Sequence, residues 1–449
     1  MEVCTIGGFE QVGKNMTAVK VKDDVFIFDA GIYLPAVIEI QEEEEHARIY
    51  NESNLRRIGA LPDDLVLDKY GWTQKVKAII IGHAHLDHIG ALPYLAHRYP
   101  NAEIIATPFT MAVLDEILEG EKIHLKNKKR IVKEDSTYIF NGSSGQIKFE
   151  FIHTTHSTLQ CVFVAMHTSE GTFFYALDFK LDNYPVIGDP PRYNKLRELG
   201  RKGIKVLVMD ALYSGTERKT PSERIARNMV EDALSSVRDR KSALLVTTFS
   251  SHISRLKSIV DFGKRTGRQI VFIGRSLNKY TNAAIKVGQC PFRKEITMIK
   301  YRKQVDAFLK KVDSNRGKYL IVCTGHQAEP GSILDRITKD ETPLKLRVDD
   351  NIIFCSSVIP DPVNINARDR MDKRLRKKGV RIQNDVHVSG HGGREDMRDL
   401  MEILKPEHVI PAHGTLRQET PMIELASELG YKFGETSHLS PNGKVLRFD

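Results

Sequence analysis

His83-Ala84-His85-Leu86-Asp87-His88, written HAHLDH, follows the apolar run VKAIII (76–81), and its reading decides the fold. Four potential metal ligands in six positions cannot all face one way on a regular helix or strand, so the segment is expected to be a loop that folds its side chains around ions. Three imidazoles and a carboxylate are a set that zinc accepts, and an Asp that follows two His residues can reach a second ion beside the first. The β-branched run before the loop reads as a buried strand, and the loop leaves its carboxyl end, where α/β sheets place their sites. A solvated His-rich turn is the alternative, and the buried strand argues against it.

Working outward, four further places supply what two ions would still need. Asp29 closes VFIFDAG, His156 follows IKFEFIHTT, Asp178 closes TFFYALD, and His413 sits in HVIPAHG. Each is a strand ending in a ligand-type residue. His153 competes with His156, but alternation places His153 within the strand while His156 clears its end. His46, His97, His124, His167, His387, His408 and His438 have no such setting and are taken as structural or surface residues.

A length of 449 residues exceeds what one hydrophobic core usually serves, so two domains are expected. Hydrophobic residues at 41% and charged at 28% fit a soluble globular protein and argue against a disordered chain. The N-terminus MEVCTIGGF lacks a basic segment followed by an apolar one, and no stretch approaches the roughly 20 apolar residues of a membrane span. A cytoplasmic protein with no membrane partner is the expectation. Five cysteines, never spaced as CxxC, read as buried free thiols. A formal charge of +9 and a pI near 9.1 point to a polyanionic partner. The excess lies in KNKKR (126–130), RKGIK (201–205) and RDRMDKRLRKKGVR (368–381). Charge runs are commonly solvated faces, but three of them beside a hydrolytic metal site favour nucleic acid.

Residues 1–212 read as short Val/Ile/Phe-rich strands with interspersed helices. The acidic stretch 39–53 reads as an exposed insertion or helix without chemistry. From 213 to 381 the rhythm becomes strand, loop, helix, which implies a parallel sheet with helices on its faces. Residues 382–449 return to single strands, VHVSGHGG and HVIPAHG. His413 must come back to the ions set up by HAHLDH, so this last segment completes the first domain and the α/β part is an insertion.

An α/β cap inserted in such a core resembles the β-CASP family of the metallo-β-lactamase superfamily. GGFEQVGKNM, HAHLDHIGALPYL, Asp210 in MDALYSGTERKTPSE, His391 in VSGHGG and His413 in KPEHVIPAHG stand in order and at spacings similar to the ribonucleases J of archaeal type. The last three positions match the motifs called A, B and C. Relative to the bacterial members, their additional C-terminal domain is not expected here, and Thr415 stands where motif C usually continues with Glu. The resemblance implies an αββα sandwich with an inserted α/β domain. It further implies two zinc ions, with manganese or magnesium as substitutes. One ion would be held by His83, His85 and His156, the other by Asp87, His88 and His413, with Asp178 bridging. Asp29 would orient a ligand histidine, and Asp87, Asp210 and His391 would serve catalysis.

The implied activity is a ribonuclease that hydrolyses single-stranded RNA from the 5′ end and prefers a 5′-monophosphate, in RNA decay or maturation. A homodimer and an RNA-decay complex are the associations it leaves open. Ser250, Ser251 and His252 follow ALLVTTF and open a helix, so with Ser389, Gly390 and His391 they could hold a terminal phosphate. The alternative is that Ser250 or Ser251 merely caps the helix beginning at Ile253. His326 in TGHQAEPGS either contacts RNA or is a satisfied residue at a helix start. Two other functions are weighed: an endoribonuclease of the mRNA 3′-end processing type, and a small-molecule metallo-hydrolase. Motifs A to C disfavour the second, and the HxHxDH pattern disfavours a di-iron oxidoreductase.

Overall fold

Nineteen strands in three sheets carry the architecture of the computed structural model, which describes residues 1–43, 50–143, 145–237, 239 and 241–449. In chain order they begin with β1 (Glu2–Gly7), β2 (Met16–Val21), β3 (Asp24–Phe28), β4 (Val76–Ile80), β5 (Glu103–Ala106) and β6 (Lys129–Ile131). Next come β7 (Ser136–Gly142), β8 (Gly145–His153), β9 (Val162–Thr168), β10 (Gly171–Ala176) and β11 (Val206–Asp210). Then follow β12 (Leu244–Thr247), β13 (Gln269–Ile273), β14 (Ile296–Ile299), β15 (Tyr319–Cys323), β16 (Asn351–Phe354) and β17 (Arg381–Gln383). Last are β18 (His408–Ala412) and β19 (Lys444–Arg447). The sheet orders are β19-β1-β2-β3-β4-β5-β6, β18-β11-β10-β9-β8-β7 and β14-β13-β15-β12-β16-β17.

The first two sheets pack face to face, and period-2 alternation sorts their side chains. Phe26 and Phe28 of β3 point into the layer between the sheets with Phe149, Phe151 and Phe173, while Val25 and Ile27 point outward under helices. On β10 and β11, Phe173, Tyr175, Val206 and Val208 face inward and Phe174, Leu207 and Met209 face the outer helices. Both faces are covered, which is why these strands read as unbroken apolar runs rather than alternating ones. Each fully buried Phe contributes roughly 1.5–3 kcal/mol. Helices Tyr193–Lys202, Arg394–Leu404 and Leu416–Glu428 cover the second sheet, completing the αββα layering.

The third sheet is parallel throughout and is inserted between β11 and β18, which pair directly with Asp210 opposite Ala412. Its last strand, β17, runs to Gln383, two residues past the change of rhythm at 381; a three-residue strand carries too little periodicity to be seen in sequence. VHVSGHGG is not a strand. Val386 N–H donates to Phe354 O, while the Arg255 guanidinium donates to the carbonyls of Val386 and Val388, so a side chain does the work of a neighbouring strand. Within the acidic stretch 39–53, residues 44–49, His46 among them, lie outside the described residues; helix Leu34–Glu43 runs into the stretch and helix Glu52–Arg57 begins at its end. All five cysteines are free thiols. Among the described residues no helix is long and apolar enough to cross a membrane.

Candidate active site

Strand ends of both sandwich sheets converge on one rim. Phe28 pairs with Ile80 and Asp210 with Ala412, so Asp29, the loop from Gly82, Asp210 and His413 all leave their strands at the same edge. Asp29, Asp178 and His413 do so with φ of 60°, 45° and 61°, the left-handed region that non-glycine residues rarely adopt. His85 precedes the short helix Leu86–Ile89, which turns Asp87 and His88 back toward His83. The opposing segment lies tight against this turn: a Cβ on Gly31 would fall 1.6 Å from the Asp87 carbonyl oxygen, so only glycine fits there.

Among the described residues the ligand-type side chains form three groups that share Asp178: His83, His85 and His156 in one, Asp87, His88 and His413 in another, and Asp210 and His391 in the third. Ligand atoms within each group lie within 4.8 Å of one another. His85 Nδ1 is 3.1 Å from His83 Nε2 and 3.0 Å from His156 Nε2. Asp178 Oδ2 is 3.3 Å from His83 Nε2, and Oδ1 is 3.1 Å from His88 Nε2. Asp178 is 1% exposed, yet neither carboxylate oxygen has a hydrogen-bond donor. A buried carboxylate left this way is strongly penalised unless cations take the donors' place, and neutral imidazoles with carboxylates suit divalent ions. The residues present therefore fit a binuclear metal centre.

Electrostatics divide the imidazoles into two kinds. Burial, reinforced by neighbouring imidazoles, holds His85 and His156 well below the usual histidine range and lowers His83, which keeps them in the neutral form that ligates metal. Burial opposes the charging of His88, but Asp178, Asp29 and Asp87 carry it well above that range. Against the same burial cost, His413, His88 and His391 hold Asp178 well below the carboxylate range. His391 is raised to about 9, burial being outweighed by Asp178 and Asp210.

A shell of polar contacts fixes the ligand rings. His88 Nδ1–H donates to Asp29 Oδ2 at 2.7 Å, while the other Asp29 oxygen accepts from Gly82 N–H and the Tyr175 hydroxyl adds a third bond. His156 Nδ1–H donates to the Gly390 carbonyl at 2.7 Å. His413 Nδ1 lies 3.0 Å from Asn15 Oδ1. His391 Nδ1–H donates to Asp210 Oδ2 at 2.7 Å, and its Nε2 stands 3.7 Å from Asp178 Oδ2. The inserted domain also contributes: Ser251 Oγ is 3.0 Å from His85 Nε2, and the buried Tyr280 hydroxyl donates to the Ala84 carbonyl at 3.1 Å.

Asn15, Tyr175 and Tyr280 escaped the sequence reading. Tyr175 left a signal, since a phenol on the inward face of an apolar strand needs a partner, here three residues before Asp178. His153 lies apart from the cluster, bonded to Glu134 and the Asp189 carbonyl.

The residues named for a phosphate pocket are engaged to different degrees. The Ser251 hydroxyl is engaged by His85, and His252 is buried, accepting from Arg255 N–H as the N-cap of helix Ile253–Gly263 with Nε2 3.4 Å from Glu223. His252 offers no free donor, and neither Ser250 nor Ser251 is the helix cap. Ser389 Oγ accepts from His391 N–H, and the Gly390 carbonyl is held by His156. Ser250 is half-buried at the end of β12. His326 is 4% exposed, edge-on to Phe249, with both ring nitrogens unpartnered. Of the remaining histidines, His97, His167, His387, His408 and His438 contact other side chains away from the cluster, and His124 is exposed.

Comparison with known proteins gives a consistent result. Residues 241–369 match the family model for the ribonuclease J beta-CASP domain, residues 10–168 that for the metallo-beta-lactamase superfamily, and residues 379–433 that for the Zn-dependent metallo-hydrolase RNA specificity domain. The chain is 38% identical to a ribonuclease J of Methanocaldococcus jannaschii, over 100% of this chain and 99% of the relative. It is 39% identical to a ribonuclease J of Pyrococcus abyssi, over 99% and 97%. Among solved structures it is similar in fold to a protein of unknown function from Enterococcus faecalis V583, with a TM-score of 0.63 and 16% identity over 99% of both chains.

Proposed function

The chain belongs to the ribonuclease J family, and from that premise we propose that it is a zinc-dependent ribonuclease that degrades single-stranded RNA from the 5′ end and prefers a 5′-monophosphate. Residues 1–212 and 382–449 would form the hydrolytic core and residues 213–381 the cap. The observation that carries this reading is Asp178, a buried carboxylate with no hydrogen-bond donor, enclosed by the imidazoles of His83, His88, His156, His391 and His413.

His83, His85 and His156 would hold one ion and Asp87, His88 and His413 the other, with Asp178 shared. When bound, such ions supply Lewis-acid activation of the attacking water and offset the charge of the phosphodiester. The chain's own residues then have distinct tasks. Asp29, Asn15 and the Gly390 carbonyl keep the ligand rings oriented. Asp210 accepts from His391 Nδ1–H, which leaves Nε2 facing the carboxylate of Asp178 and free to give a proton to the leaving 3′ oxygen. A terminal phosphate would lie against the Ser389 to His391 turn, with Ser250 beside it.

One RNA sequence prepared with a 5′-monophosphate, with a 5′-triphosphate and as a circle tests the reading. Mononucleotides should appear from the start with the monophosphate, more slowly with the triphosphate and not from the circle. Equal rates on all three would replace it with an endonuclease. Mass spectrometry of the purified protein identifies the metal.

A further inference from the structure

The basic runs visible in the sequence are largely engaged by acids. Lys128 and Arg130 share Glu103, and Lys129 meets Asp115. On helix Pro362–Lys377 and just beyond it, Arg368, Lys373, Arg374 and Lys378 pair with Asp372, Asp369, Asp335 and Asp340, and Arg381 pairs with Asp349. A different set of cations, scattered in sequence, is gathered by the fold and left without an acidic partner among the described residues, the Lys300 ammonium lying 5.7 Å from the Tyr301 ring centroid. Gly274 N–H donates to the Ile299 carbonyl at 2.9 Å, so Arg275 and Lys300 leave the adjacent ends of β13 and β14 side by side. Lys279 follows Arg275 by one turn on helix Arg275–Lys286, and Arg302 opens helix Arg302–Ser314. Among the described residues none of these four cations has an acidic group within salt-bridge distance. Burial lowers the Lys279 pKa, and the positive fields of Arg275 and Lys300 add to that against Glu121 and Glu116. Tyr301, between Lys300 and Arg302, is 60% exposed.

The location matters as much as the charge. The third sheet is parallel, so Arg275 and Lys300 emerge on the same rim as Ser251, which follows β12 and touches His85. In the order β14-β13-β15-β12, β13 lies two strand spacings from β12 and β14 three, or about 10 and 14 Å. The helix that carries Arg275 and Lys279 also sends Tyr280 to the HAHLDH loop. Unpaired like charges at this spacing repel one another, and a polyanion passing over them relieves the repulsion.

We propose that Arg275, Lys279, Lys300 and Arg302, with Tyr301 as a stacking face, form a phosphate track that holds single-stranded RNA a few nucleotides from the metal centre. This rests on the ribonuclease reading for the identity of the polyanion, but not for its test. The probe is a fluorescein-labelled, phosphorothioate-linked oligouridylate of about 20 nucleotides, read by anisotropy with the full-length, metal-loaded protein. Arg275→Glu, Lys300→Glu and Arg302→Glu together should weaken binding roughly tenfold or more and flatten the dependence of log K on log salt by about 2. The same charge change at Lys126, Arg376 and Lys377, exposed members of the sequence-visible runs, should weaken it less than twofold. Equal losses from both triple variants would mean that only total charge counts, and no loss from the first would remove the track; either overturns the proposal. Thermal unfolding checks that both variants fold, and Tyr301→Ala, which leaves charge unchanged, should still weaken binding severalfold. Wild type that binds the probe but cleaves no RNA would sink the ribonuclease reading and leave this comparison intact.

Discussion

Asp29, Asp178 and His413 show at the scale of single residues what the site demands of the backbone. A left-handed conformation costs an L-residue on the order of 1–3 kcal/mol, and here three strand-end residues adopt it so that their side chains turn back over the rim. His391 differs in kind, since Asp210 fixes its ring and Thr220 Oγ1–H donates to its carbonyl, so it sits in a preorganised turn. His391→Ala is expected to lower the single-turnover rate roughly a hundredfold while changing RNA affinity little. An unchanged rate would remove it from the chemical step. The candidate metal ligands were legible from HAHLDH outward because they follow strands whose hydrophobic pattern is plain. Asn15 was not, because an amide in a glycine-containing loop carries no period and gains meaning only when His413, 398 residues later, comes to rest against it.

Among the elements, the inserted domain is more than a lid. Arg255, fully buried and paired in bidentate fashion with Glu223, also donates to the carbonyls of Cys355, Val386 and Val388, tying the end of β16 to the segment that leads into the His391 turn. Helix Arg275–Lys286 and the residues after β12 reach the metal loop itself through Tyr280 and Ser251. Polar partners behind ligand histidines commonly shift metal affinity 10- to 100-fold. Tyr280→Phe with Ser251→Ala should therefore weaken zinc binding about tenfold in competition with a chromophoric chelator. Wild-type affinity in that double variant would show that the cap does not support the loop. None of this could be read from VTTFSSHIS, where the serines look like phosphate donors or caps, since their role depends on which domain they face.

At the level of the whole molecule, the metal centre joins segments from residue 15 to residue 413, so its occupancy should bear on global stability. An ion bound only by the folded chain stabilises it by linkage. Removing metal with a chelator is expected to lower the unfolding temperature by about 5 °C or more, and readdition of zinc should restore it. An unchanged Tm would mean that the cluster tolerates vacancy. The layered α/β architecture and the insertion were legible in the sequence, because strand periodicity and the strand-loop-helix rhythm are local signals, while the proposed ligand set came from clustered His and Asp residues together with the family resemblance. Only the tertiary structure decides which cations are free. Lys and Arg runs advertise charge in sequence, but their acidic partners lie on other elements, and the unpaired set of Arg275, Lys279, Lys300 and Arg302 exists only because β13 and β14 pair in parallel and bring their ends together. Charge is a property of residues, whereas neutralisation is a property of distance, and distance is what folding sets.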